Sequence, residues 1–214
     1  MMHAIKKWIL PLTAIFIVFF SGAANAALIE LGVDNLGHKI IYDSDLDVSW
    51  YDFTYETWSG IGSTYDEAVI WADNLSITFE GNTYSDWRLP TSGNNPQQAF
   101  VQTETELGSL FYTSLGNTGF RDENGTIQDT YGLINRGPFN NLVADHYWSS
   151  TQTGSNGAWY FNFDNGYQSY GNMGNHERVI ALCDGNISQV PIPSTFLLLF
   201  PGILGLIGIK KHHR

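Results

Sequence analysis

The hydrophobic pattern changes period several times along the chain. Residues 27–33 and 38–42 are short apolar-rich runs separated by Asp34-Asn35-Leu36-Gly37, and they predict a strand pair. Asp47 to Phe53 alternates and predicts a third strand. Tyr65, Ala68, Val69, Ala72 and Leu75 then recur at helical spacing, behind Thr64-Tyr65-Asp66-Glu67. That tetrapeptide is a capping box, so the pattern predicts a helix over 65–75. Thr103-Glu104-Thr105-Glu106 is a second capping box and predicts a short helix through Leu107, Leu110 and Phe111 to about Leu115. Residues 116–146 are polar and without period, which predicts a long irregular insertion. Long ordered loops are uncommon and often functional. Strand patterns resume at Tyr147 to Ser150, Ala158 to Phe163, Tyr167 to Tyr170 and Arg178 to Cys183. Asn165-Gly166 between two of them is the dipeptide preferred in type I′ hairpins. Strands, two helices and strands again predict an α+β fold: a single domain over 27–189 with two short helices, antiparallel strands and long loops.

The two ends follow different rules. Lys6 and Lys7, an apolar run from Trp8 to Phe20, and Ala24-Asn25-Ala26 form a secretory signal pattern over 1–26. At the other end, Val190-Pro191-Ile192-Pro193 precedes an uncharged run from Ser194 to Ile209 and the basic tail Lys210-Lys211-His212-His213-Arg214. As a helix that run spans roughly 24 Å, just under a bilayer core of about 30 Å. The basic tail would remain cytoplasmic, leaving the body on the other side of the membrane. Residues 190–214 resemble the PEP-CTERM sorting signal. That resemblance implies an exosortase-type processing enzyme as partner, membrane insertion before processing, and a Gram-negative host that makes exopolysaccharide. The family usually has Glu between the two prolines, where this chain has Ile192.

Charge narrows the partners. Residues 27–189 carry Lys39, Arg88, Arg121, Arg136 and Arg178 against all 21 acidic residues, a balance of −16. Polyanion binding needs a basic face, so nucleic acid is excluded as a partner and highly sulfated sugars are disfavoured. Cys183 is the single cysteine, so neither an intramolecular disulfide nor a Cys-based zinc site can form. The same segment holds 25 aromatic residues, too many for a disordered polar chain.

Several blocks line up in order. They are Asp43-Ser44-Asp45-Leu46-Asp47-Val48-Ser49-Trp50, the helix segment Ala68-Val69-Ile70-Trp71-Ala72, and Asp86-Trp87-Arg88-Leu89-Pro90-Thr91. Glu106-Leu107, Tyr147-Trp148-Ser149-Ser150-Thr151, Ala158 to Phe163 with Asn165-Gly166, and Arg178-Val179 follow. Most of residues 40–184 thereby resemble the C-terminal (Lcl) domain of bacterial collagen-like adhesins. The resemblance implies a C-type-lectin-like fold, an extracellular location and, in some members, adhesion to glycans. Members that adhere to sulfated glycosaminoglycans are expected to use basic patches, which this body lacks.

Candidate sites have competing readings. Asp43, Asp45 and Asp47 can gather oxygens around calcium if they lie in a loop. On a strand they share one face about 6.6 Å apart and form a solvated edge. Asp122-Glu123-Asn124-Gly125 with Asp129 is a weaker candidate of the same kind. Trp87 and Leu89 are expected to bury while Arg88 pairs with Asp86 or Glu106, and Arg178 pairs an acid at a sheet edge. Strand alternation puts Trp159, Phe161 and Phe163 on a core face and Tyr160 and Asn162 on the other. Tyr160, Asn162, Tyr167 and Gln168 are therefore the ligand candidates, with loop 116–146 able to bring Asp122, Asn124 and Asp129 near them. The alternative is an ordinary solvated sheet face.

Enzyme motifs are missing: there is no Gly-x-Ser-x-Gly, His-Glu-x-x-His or phosphate loop. Lectin-like oxidases that activate sulfatases need paired cysteines. Acid pairs are plentiful, as a glycosidase requires, but nothing singles one out. The expectation is an exported, non-catalytic surface or matrix protein that binds extracellular polysaccharide. The alternatives are an acidic structural matrix protein without a specific ligand and, behind it, a carbohydrate-active enzyme.

Overall fold

The computed structural model describes residues 28–57 and 60–188. The signal-like and sorting-signal segments expected at 1–26 and 190–214 lie outside them. Three antiparallel strands open the fold: β1 (Leu28–Val33), β2 (Lys39–Asp43) and β3 (Val48–Tyr55). The last strand, β9 (Val179–Asp184), returns to pair with β3, giving a four-stranded sheet in the order β1-β2-β3-β9. The first and last parts of the domain thus share one sheet.

Alternation along these strands divides the core. Ile41, Trp50, Ile180 and Leu182 project to one side, into a cluster with Phe111, Phe161 and Phe163. Ile40, Tyr51, Ala181 and Cys183 project to the other, against Phe79 and Trp87. The sheet is therefore buried on both faces, which explains why Val48 to Tyr51 are all buried despite Ser49. The Ser49 hydroxyl is satisfied by donating to Gly185 O at 2.7 Å.

Helix α1 (Tyr65–Asn74) begins at the expected capping box, with the Thr64 N–H donating to Glu67 Oε2 at 2.9 Å. Its buried face, Tyr65, Ala68 and Ala72, packs on Trp148 and Val179. A second sheet holds β6 (His146–Thr153), β7 (Gly157–Asn162) and β8 (Tyr167–Asn172). A parallel bridge between Tyr147 and Arg178 ties it to the approach to β9. The α+β class is as expected. Two short strands were not expected: β4 (Ile77–Phe79) and β5 (Asn82–Tyr84), joined at Glu80-Gly81. Three-residue strands leave too little alternation to read.

Two local expectations are corrected. The second helix, α2 (Glu106–Ser109), is capped by Thr105, whose hydroxyl accepts from the Gly108 N–H, and not by Thr103. Glu106 cannot complete a box at Thr103 because its carboxylate is held by Arg88 and by the Thr91 N–H. A π-helical turn, Leu110–Ser114, continues α2. The β7–β8 connection spans four residues rather than two, with Asn162 paired to Tyr167. Only Gly166 there has positive φ, at 78°, whereas type I′ requires two such residues. Asn162 Oδ1 accepts from the Asp164 N–H and stabilises the wider turn.

Candidate functional site

The three alternating aspartates separate by role. Asp43 is fully buried at the end of β2. Its Oδ1 accepts from the Asp45 and Leu46 N–H groups, and its Oδ2 accepts from the Ser114 hydroxyl at 2.7 Å. Asp47 sits at φ 51° and accepts from the Tyr42 hydroxyl, while Asp45 is exposed. Asp43 Oδ1 thus organises its own turn, while Oδ2 ties that turn to Ser114 of the π-helical segment. Among the described residues no group of three or more His, Cys, Asp and Glu is placed to hold a metal ion.

Strand register brings Tyr160, Asn162 and Tyr167 to one face of the second sheet. His146, Asn162 and Tyr167 lie opposite one another across β6, β7 and β8, as do Trp148, Tyr160 and Ser169. Tyr160, Asn162 and Tyr167 are half-buried. Gln168 is corrected: it pairs with Phe161, faces inward and is fully buried. Its side chain donates to Gln97 O, and its N–H donates to Ala99 O. Gln168 therefore anchors residues 97–99 along β8 instead of meeting solvent. Trp159, Phe161 and Phe163 are buried as expected.

The long insertion is held to the β7–β8 turn, where the Phe120 N–H donates to Asn165 O at 2.8 Å. This docking builds a row of half-buried or exposed rings. Tyr167 lies 4.7 Å from Phe100, Phe100 6.3 Å from Phe120, and Phe120 5.0 Å from Tyr131. The Arg121 guanidinium sits 5.4 Å over the Phe120 ring and donates to Gly125 O. Only Tyr167 of this row was expected. The others lie in two segments, Phe100 before α2 and Phe120 and Tyr131 in the long insertion, and no periodicity links them.

The row borders a cleft of about 340 Å³ lined by Tyr112, Arg121, Asp122, Glu123, Asn124 and Gln128, among others. Asp122 and Asn124 line this cleft, whereas Asp129 and the ligand candidates Tyr160, Asn162, Tyr167 and Gln168 are not among its lining residues. Tyr112 forms its base. Its hydroxyl accepts from the Val101 N–H at 3.0 Å and donates to Gly166 O at 2.7 Å. Val101, also in the lining, has φ 58°, a strained conformation for a β-branched residue. Gly166 is required twice, by its own positive φ and by the Tyr112 hydroxyl, which occupies the space of a Cβ.

Charged residues outside this row are mostly structural. Arg88 makes two bonds to Glu106, at 2.8 and 2.7 Å, and one to Asp184. Arg178 is clamped between Asp145 and Glu56. His146 approaches Glu177 at 3.2 Å and lies 4.7 Å from the Tyr160 ring. The hydrogen bond with Glu177 raises its pKa above the usual histidine range. A carboxylate orients this imidazole as in a catalytic dyad, but its other neighbour is a ring rather than a nucleophilic hydroxyl or thiol. Cys183 is buried, and desolvation pushes its thiol up to about 12, so it remains a protonated core group at neutral pH.

Compared with family models, curated proteins and solved structures, the chain matches none.

Proposed function

We propose that this chain is an exported, non-catalytic glycan-binding or adhesion module with a C-type-lectin-like domain of the Lcl type. In this reading the N-terminal signal exports it. The PEP-CTERM-like tail holds it in the cytoplasmic membrane, body outward, until an exosortase-type enzyme passes it to the surface or the medium. The ring row Tyr167-Phe100-Phe120-Tyr131, beside a polar cleft, is the observation that supports ligand binding. Sugar rings present apolar C–H faces that stack on aromatics, and hydroxyls that suit Asn124, Gln128 and Asp122. The surplus of 16 acidic over basic residues in 27–189, 21 against 5, favours neutral over anionic glycans.

Tyr167→Ala and Phe120→Ala should each weaken binding to the preferred neutral glycan at least tenfold, with circular dichroism unchanged. Folded variants that bind like wild type place the site elsewhere. If a broad glycan panel finds no ligand for wild type, the same acidic surface favours the second reading, a structural matrix protein kept soluble by its charge. Export is tested separately: intact mass from the native host should show a chain beginning at Ala27 and lacking residues after about 194. Bulk exported protein retaining Met1 or Arg214 refutes that scheme.

A further inference from the structure

A second groove lies away from the ring row and shares no residue with it. Tyr51, Phe53 and Tyr55 alternate onto one side of β3, and Trp71 of α1 packs beside them. At the end of this series the Tyr55 and Trp71 rings are parallel within 6°, with centroids 4.8 Å apart. They wall a groove of about 450 Å³ whose rim includes Glu67, Ile70, Asn74 and Ser76. Ile70 is 61% exposed, high for a large apolar residue on a capped helix.

The polar groups on this rim are already oriented. Glu67 Oε2 accepts three bonds in the capping region, from the Thr64 N–H, the Thr64 hydroxyl and the Thr57 hydroxyl. Those bonds hold its pKa below the usual range, so the group remains a carboxylate under mildly acidic conditions. The Asn74 amide donates to Ile70 O at 2.7 Å, which fixes the side chain. Beyond these bonds Glu67 retains Oε1, with His176 acting on the same carboxylate, and Asn74 retains Oδ1 and its second amide N–H. A wall of stacked rings with two fixed acceptors matches a pyranose: one apolar C–H face and hydroxyls able to donate. The carboxylate repels uronate and sulfate groups.

We propose that this groove is a second binding site, selective for neutral pyranose units. With the ring row as the first site, one chain holds two glycan strands. That consequence, unlike the groove itself, rests on the reading above.

The test uses the full-length ¹⁵N-labelled chain in a zwitterionic, sugar-free detergent. It is titrated with neutral tetrasaccharides of glucose, mannose, galactose and N-acetylglucosamine. At least one should shift the Trp71 indole N–H resonance. The shift should survive in Tyr167→Ala. It should need at least tenfold more sugar in Ser76→Phe, whose ring fills the groove from an exposed position, and in Ile70→Glu. No response at Trp71 to any sugar, or an unchanged response in both folded groove variants, overturns the groove. A response at Trp71 with none around Tyr167 keeps the groove and removes the ring-row site. The converse removes only the groove.

Discussion

His146 shows how one side chain couples the stability of the β6–β7–β8 sheet to pH. Its neighbours Glu177, Asp145 and Asp164 favour the imidazolium. Because the folded pKa is raised, the stabilising contribution is fully present below the unfolded value of about 6.5 and is lost as pH rises through the higher folded value. The thermal midpoint of wild type should therefore fall relative to His146→Gln between mildly acidic and mildly alkaline pH. Parallel midpoints across that window would refute the pairing. Sequence gave no hint of this, since His146 and Glu177 are separated by 31 positions. Arg88 was more legible: an arginine flanked by Trp87 and Leu89 must carry its charge to an acid, and Glu106 was one of two named. Gln168 was misjudged because a polar side chain on a strand reads as outward. Only the docked segment 97–99 supplies the inward partner.

At the scale of elements, the Tyr112 hydroxyl joins three segments that share no secondary structure: Val101, the π-helical turn and the β7–β8 turn. Tyr112→Phe leaves the Val101 N–H without its partner in a strained conformation. It should cost about 1–2 kcal/mol in chemical denaturation, and it should weaken glycan binding at the ring row by releasing Phe100. An unchanged denaturation midpoint would show that the hydroxyl carries no such role. The strands and α1 were readable because their periodicity records a face buried against a core. The cap of α2 was not. Two threonines stand two residues apart, and the choice between them is made by Arg88, distant in sequence, which takes Glu106 away.

For the whole molecule, charge and topology act together. Residues 27–189 carry five basic residues against 21 acidic ones, and Arg88 and Arg178 are already paired with acids. Glycan affinity at the ring row should change less than twofold between low and moderate salt, and immobilised heparin should not retain the protein. Tight, salt-sensitive retention would overturn the charge argument. The α+β class was visible from the order of periods along the chain. The docking of the long insertion was not, because it depends on backbone bonds such as Phe120 to Asn165 that leave no trace in side-chain pattern.

The pairing of β9 with β3 has a mechanical meaning. Leu28, Asp43, Val48 and Asp184 fall in one row across the sheet, so the chain enters and leaves the domain at the same rim. β9 is clasped on both sides, by β3 along its length and by Arg88 through paired backbone bonds with Leu182. Beyond β9, which ends the sheet order, Ile187 is buried and its carbonyl accepts from the Tyr84 hydroxyl, so tension applied past Ser188 reaches β9 through this docked segment. A pull along that strand loads its bonds in shear, so they must yield together rather than peel apart singly.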